Sequence, residues 1–291
     1  MTVSPHPQPN MGLYAFSVAP RIMTPEPNSE NYRRANEQAW DHMARNEHRL
    51  ARPARQTDLQ NPLAAVDAAG WLGDDIRGRT VLCLAAGGGR QGPLYAAAGG
   101  IVTVVDISET MLERDRAVAE ELNYTVRTVK ASMDRLTGIA DDSFDIVIHP
   151  VSTCYVPDIV AVFAEVARVI RAGGIYISQH KTPTSLQTGL KPTSDSRTGY
   201  PIVHEYYSRE PLPPAKEANL IREPGTYEYV HRWEQIVGGM CGTGFVIEDL
   251  TEPTHAADEA PGSFGHRSKF VAPYVRIKAR RMGKSAPQLV L

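Results

Sequence analysis

Apolar residues along this chain fall into short blocks that switch between two periods. Residues 81–84, 101–105 and 144–149 are apolar at nearly every position, the pattern of a strand buried on both faces of a parallel sheet. Residues 125–130 alternate, and 175–179 form one more short apolar run. Elsewhere the period lengthens. Within 156–171 the apolar positions Val160, Phe163, Val166 and Ile170 recur at three- and four-residue steps, the spacing of one helical face. The stretch 107–123 reads as a second helix, with Ser108 and Glu109 suited to its first turn. Strands alternating with helices predict an α/β fold built on a doubly wound, mostly parallel sheet.

The two ends extend this picture. The pair Gly173-Gly174 reads as a helix stop before the fifth strand. Helical periodicity returns over 231–241 (Trp233, Ile236, Val237, Met240), and strands follow at 245–250 and 270–279. No helix is predicted between those last two, so they should pair antiparallel at the end of a seven-stranded, Rossmann-like sheet. Arg276, Lys278, Arg280 and Arg281 then read as a solvated edge. At the other end, residues 1–31 hold six prolines without apolar periodicity, which suggests an arm. Helices over 32–52 and 62–71 lead into the first strand. Residues 181–229 carry seven prolines and five tyrosines, and a loop of that length in a compact domain is commonly functional. The expected organisation is therefore an arm at 1–31 and one domain at 32–291, with a lid inserted at about 181–230.

Composition narrows the function classes. The 291 residues are 42% hydrophobic with a formal net charge of −2, which offers no global attraction for nucleic acid or an anionic membrane. Three cysteines, Cys83, Cys154 and Cys241, stand far apart and suit neither a disulfide framework nor a zinc site. No apolar run approaches a membrane span. The expectation is a soluble cytoplasmic protein, monomer or homodimer, working on a small molecule.

Chemistry concentrates between the first two strands. Gly87, Gly88 and Gly89 form a turn from strand to helix, where bare backbone can meet a ligand, and Asp106 ends the next strand, where an acid suits a ribose diol. Gly87-x-Gly89-x-x-Gly92 also matches the dinucleotide pattern, so an NAD-dependent oxidoreductase remains an alternative from these residues alone. Against it stand the helices that precede the unit, the antiparallel end of the sheet and the lack of residues for a separate substrate domain.

Four stretches together carry a family resemblance. Val81-Leu82-Cys83-Leu84-Ala85-Ala86-Gly87-Gly88-Gly89 resembles the first motif of class I S-adenosylmethionine-dependent methyltransferases. Val104-Val105-Asp106-Ile107-Ser108 with Met111-Leu112 resembles the acidic second motif. Asp142-Ser143-Phe144-Asp145-Ile146-Val147 and the run from Glu165 to Gly174 are similar to two later signatures. The nearest grouping is the type 11, quinone-biosynthesis-like enzymes that act on small molecules. The resemblance implies S-adenosylmethionine as cofactor, lying along Ala85, Gly87 and Gly89, with Asp106 at the ribose and Ile107 and Met111 flanking the adenine. It places Ser132 and Met133 at the adenine ring, His149 and Pro150 at the methionine portion, and Tyr32 and Trp40 in an N-terminal cover. Two positions depart from the family: Cys83 stands where an acid helps bind the methionine ammonium, and Ala85 where the first glycine is usual. Alanine suits that turn if its φ stays negative. A cofactor-binding protein without catalysis is the other alternative. For a general base, His180 just past the fifth strand is best placed and Tyr155 next, ahead of His149, His204 and His231.

Overall fold

Seven strands pair in the order β3-β2-β1-β4-β5-β7-β6. They are β1 (Thr80–Leu84), β2 (Ile101–Asp106), β3 (Val126–Lys130), β4 (Phe144–His149), β5 (Ile170–Lys181), β6 (Phe245–Thr251) and β7 (Tyr274–Arg281). The computed structural model describes residues 29–193, 199–215, 221–255 and 260–283. The arm expected at 1–31 lies outside them except for residues 29–31. β1 to β5 pair in parallel, and β7 runs antiparallel to both β5 and β6. The chain steps outward from β1 to β3 and then returns to β4 on the other flank of β1. That reversal opens a crevice above the carboxyl ends of β1 and β4.

Strand β1 shows why the central strands are wholly apolar. Successive side chains point to opposite faces. Leu82 and Leu84 enter one core with Val147, Phe163, Tyr176 and Ile277, while Val81 and Cys83 enter the other with Tyr95, Val104, Leu112 and Ile146. Helices α1 (Ser29–Arg45), α2 (Pro62–Val66), α3 (Gln91–Ala97), α4 (Glu109–Glu121) and α5 (Ile159–Val169) cover the sheet and its crevice. The Ser108 hydroxyl caps α4 through the Met111 amide at 3.2 Å, and Asp158 caps α5 through Val160 at 2.9 Å.

The ends differ from the sequence reading in three ways. β5 begins at Ile170, so Gly173-Gly174 lies inside the strand; opposite Phe144 and Ile146 the partners step from Ile170 to Ile175, and the surplus residues bulge out. A short helix, α8 (Phe264–Ser268), stands between β6 and β7. β7 is an interior strand, so its basic residues do not form an edge. Arg280 pairs with Glu248, and the Arg281 guanidinium donates to the carbonyls of Ala167 and Gly244 at 3.0 Å each.

The insertion is tied to the body at its start. It opens with α6 (Pro183–Gln187), capped by Thr182. The Arg267 guanidinium, 2% exposed, donates to the carbonyls of Ser185 (2.6 Å), Thr188 (3.0 Å) and Gly189 (3.2 Å). Downstream, the chain reaches a π-helical turn (Glu234–Gly238) and α7 (Gly239–Gly242), where one regular helix was expected. Among the described residues no helix is long and apolar enough to cross a membrane.

Candidate active site

The crevice holds a cavity of about 430 Å³, floored by the β1 turn and roofed by α1 and part of the insertion. Eleven of the residues singled out in the sequence line it: Tyr32, Trp40, Ala85, Gly87, Asp106, Ile107, Met111, Ser132, Met133, Pro150 and Tyr155. Gly89, His149 and His180 do not.

The floor is shaped by close backbone approach. A Cβ at Gly87 would sit 2.8 Å from Met111 Cβ and 3.0 Å from Asp106 Oδ2, so no side chain fits there. The Asp106 carboxylate is fixed by two amides, Gly87 at 2.9 Å on Oδ2 and Ser108 at 2.9 Å on Oδ1. Gly89 serves packing instead of cofactor contact: its φ is +80° and a Cβ would lie 2.8 Å from Val118 Cγ2 on α4.

Ala85 corrects an expectation. Its φ is +47°, in the left-handed region, because its amide continues the β1 register by donating to the Val105 carbonyl at 2.7 Å while the chain already turns. Holding alanine there costs about 1–2 kcal/mol. Ala85→Gly should therefore stabilise the protein by about 0.5–1 kcal/mol after the added freedom of the unfolded chain is counted. A urea midpoint that rises at constant slope checks this.

A buried acid does stand beneath the turn, on another element and outside the cavity lining. Cys83 is fully buried in the core on the other face of β1. Asp115 on α4, also fully buried, accepts from the Gly88 amide at 2.8 Å and so props the turn from beneath. Burial pushes its carboxyl up to about 7 despite the Gly89 and Gly88 amides. Sequence reading missed Asp115 because nothing in the local spacing marks this one acid of α4 as facing inward.

The roof depends on α1, whose buried positions Tyr32, Asn36 and Met43 share one face. Tyr32 and Arg33 both hold Asp134 just past β3, and the Ser132 hydroxyl donates to the same carboxylate at 2.5 Å. Asn36 donates to the Tyr155 carbonyl at 2.9 Å and accepts from the Tyr227 amide at 2.7 Å. The Trp40 ring meets Tyr155 edge-on at 5.7 Å.

Beyond Pro150 the cavity becomes polar. Tyr155, on the 3-10 turn Thr153–Tyr155, donates its hydroxyl to Glu223 Oε2 at 2.6 Å. Lys181, the last residue of β5, donates to the same oxygen at 2.8 Å and to Glu228 Oε2 at 3.1 Å. Burial alone would lower the Lys181 ammonium, but the neighbouring Cys154, Glu223 and Glu228 hold it above its usual range. Glu223 and Lys181 line the cavity and had no signal in the sequence. Glu223 lies in an aperiodic stretch and Lys181 simply ends an apolar strand.

His180 is not placed to act as a base. It is 1% exposed, and both ring nitrogens are engaged, Nδ1 with the Thr153 hydroxyl and Nε2 with that of Ser178, at 2.8 Å each. His149 bonds the Tyr176 hydroxyl at 2.8 Å, and His231 bonds the Thr153 carbonyl at 2.9 Å. Burial pushes His149 and His180 down to about 3 and His231 down to about 4. These histidines stay neutral in the fold, whereas the unfolded chain takes up their protons below pH 6.5. Their contribution is therefore complete above pH 6.5 and is lost as pH falls from there towards 3. Each adds a slope of about 1.4 kcal/mol per pH unit in that window. Asp115, raised towards 7, works in the opposite sense between pH 4 and 7. His180→Gln should reduce the acid-side slope of the wild type by about one proton, read from urea midpoints at pH 6.5, 5.5 and 4.5.

This sheet order, with its antiparallel β7 and a glycine turn facing a strand-end acid, defines a class I methyltransferase fold. Residues 82–178 match the model of the methyltransferase domain family. The chain is 39% identical over 179 residues to the uncharacterized methyltransferase YbaJ of Bacillus subtilis, an alignment covering 61% of this chain and 69% of that protein. The chain therefore belongs to the class I S-adenosylmethionine-dependent methyltransferase family. Among solved structures, an S-adenosylmethionine-dependent methyltransferase from Mesorhizobium loti shares the fold with a TM-score of 0.57 at 20% identity, covering 77% of this chain and all of that one. Geranyl diphosphate C-methyltransferase from Streptomyces coelicolor A3(2), solved with its diphosphate, Mg2+ and S-adenosyl-L-homocysteine, gives 0.55 at 16%, covering 86% and 98%.

Proposed function

We propose that this cavity binds S-adenosylmethionine along its glycine-turn side and a small acceptor along its Tyr155–Lys181 side, so that methyl transfer occurs between them near Pro150. The observation that carries the reading is the floor. Asp106 presents an oriented carboxylate beside a turn that admits no side chain at Gly87, with Ile107, Met111 and Met133 as apolar neighbours in the same cavity. That set fits a nucleoside: a diol on the acid, a ring between the apolar side chains and Ser132, and an amino-acid tail towards Ala85. When bound, S-adenosylmethionine supplies a methyl group on a sulfonium, which a nucleophile displaces in line.

The protein's share is alignment and exclusion of water, which can supply much of the acceleration. Asp106 and the turn fix one reactant, while Trp40, Val151 and Val156 offer apolar wall to the other. Wild-type protein should show saturable calorimetric binding of S-adenosylmethionine and of S-adenosylhomocysteine and no binding of NAD. Binding of NAD with neither of the others would overturn the reading.

A further inference from the structure

We propose that Tyr155 and Glu223 form the proton-accepting pair for an acceptor that carries a dissociable O–H or N–H on a small apolar body. The inference rests on the cofactor reading above, and it follows from how the polar end of the cavity is wired. Tyr155, Lys181 and Glu223 are only 5%, 5% and 7% exposed, yet all three line the same cavity as Asp106. A buried ion cluster adds little net stability over apolar packing, so stability alone does not account for one at this position.

The hydrogen-bond directions specify what it faces. The Tyr155 hydroxyl proton is already given to Glu223 Oε2 at 2.6 Å, so the phenol oxygen offers a ligand lone pairs only. A group meeting it must bring its own proton. Gln179 lines the same cavity and accepts from Arg276 Nε at 3.0 Å through Oε1, which fixes its side chain there. The surrounding walls, Trp40, Leu50, Val151 and Val156, suit an apolar body.

The proton has a complete path. As the acceptor's lone pair forms its bond to the methyl carbon, the carbon–sulfur pair stays with sulfur. The acceptor's proton passes to Tyr155 Oη while the Tyr155 proton passes to Glu223 Oε2. One positive and one negative charge vanish together, which suits side chains as buried as Tyr155 and Glu223. Glu228 lies behind this pair, outside the cavity lining, and keeps Lys181 matched at 3.1 Å when Glu223 is neutralised.

The test uses 4-nitrophenol at about pH 6, where it keeps its proton, and nitrobenzene as the same ring without the proton, each titrated into the protein saturated with S-adenosylhomocysteine. Wild type should prefer 4-nitrophenol by about tenfold or more, the worth of one hydrogen bond to a charged network. In Tyr155→Phe and in Glu223→Gln the preference should shrink below about threefold, with S-adenosylhomocysteine affinity within about threefold of wild type. That unchanged affinity also shows that each variant is folded. No preference in wild type, or a preference that survives both substitutions, overturns the proposal. Failure of wild type to bind S-adenosylhomocysteine would instead sink the cofactor reading.

Discussion

Asp106→Ala should weaken S-adenosylhomocysteine binding by about 100-fold or more, because two hydroxyls of a ribose would lose hydrogen bonds to a charged group worth about 1.5–3 kcal/mol each. Burial raises the Asp106 carboxyl, and the Ser108, Gly87 and Ile107 amides pull it back down. The free protein therefore keeps an oriented acceptor that few ordered waters can match. Alanine also strips the Gly87 amide of its partner at 2.9 Å, so the turn loses its alignment with the acid. Calorimetry gives the affinity, and a thermal melt without ligand shows whether the fold survives. An affinity within threefold of wild type would remove Asp106 from the site.

The second large effect concerns Lys181→Met. This change leaves Glu223 and Glu228 facing each other at 9% and 0% side-chain exposure without the ammonium that bonds both. Removing one partner of a buried pair typically costs about 3–5 kcal/mol. The Arg222 guanidinium, 3.4 Å from Glu228, offsets part of the loss at that carboxylate. Urea unfolding should show the full cost for Lys181→Met and a partial recovery when Glu223→Gln and Glu228→Gln are added, since neutral amides need no counter-charge. A loss below 1 kcal/mol would mean that the cluster is wetter than its burial implies.

Most of the sheet was legible because its interior strands have no polar side to hide. Thr80–Leu84, Ile101–Asp106 and Phe144–His149 are buried on both faces, and such runs admit few readings when glycine turns bound them. The floor of the site was legible for the same reason, as turn and acid sit at fixed distances from those strands. Illegibility set in where geometry overrides local preference. Gly173 and Gly174 look like a helix stop but form a bulge within β5, and Ala85 occupies a backbone region that its side chain disfavours. His180 lies inside the right strand, one residue before its end, and points into a core of Phe163 and Thr153. Glu223 reaches the cavity only through the path of an aperiodic insertion, which no periodicity encodes.

Asn36 has a kinetic consequence. Its single side chain holds the Tyr155 carbonyl on one side and the Tyr227 amide on the other, so α1 and the chain around Tyr227 are joined at a seam directly above the cavity. Neither can lift without breaking those bonds or carrying the other with it. Spent cofactor and methylated product would then leave through one shared motion, and the rate of that motion would set a common ceiling on turnover whatever the acceptor's intrinsic reactivity.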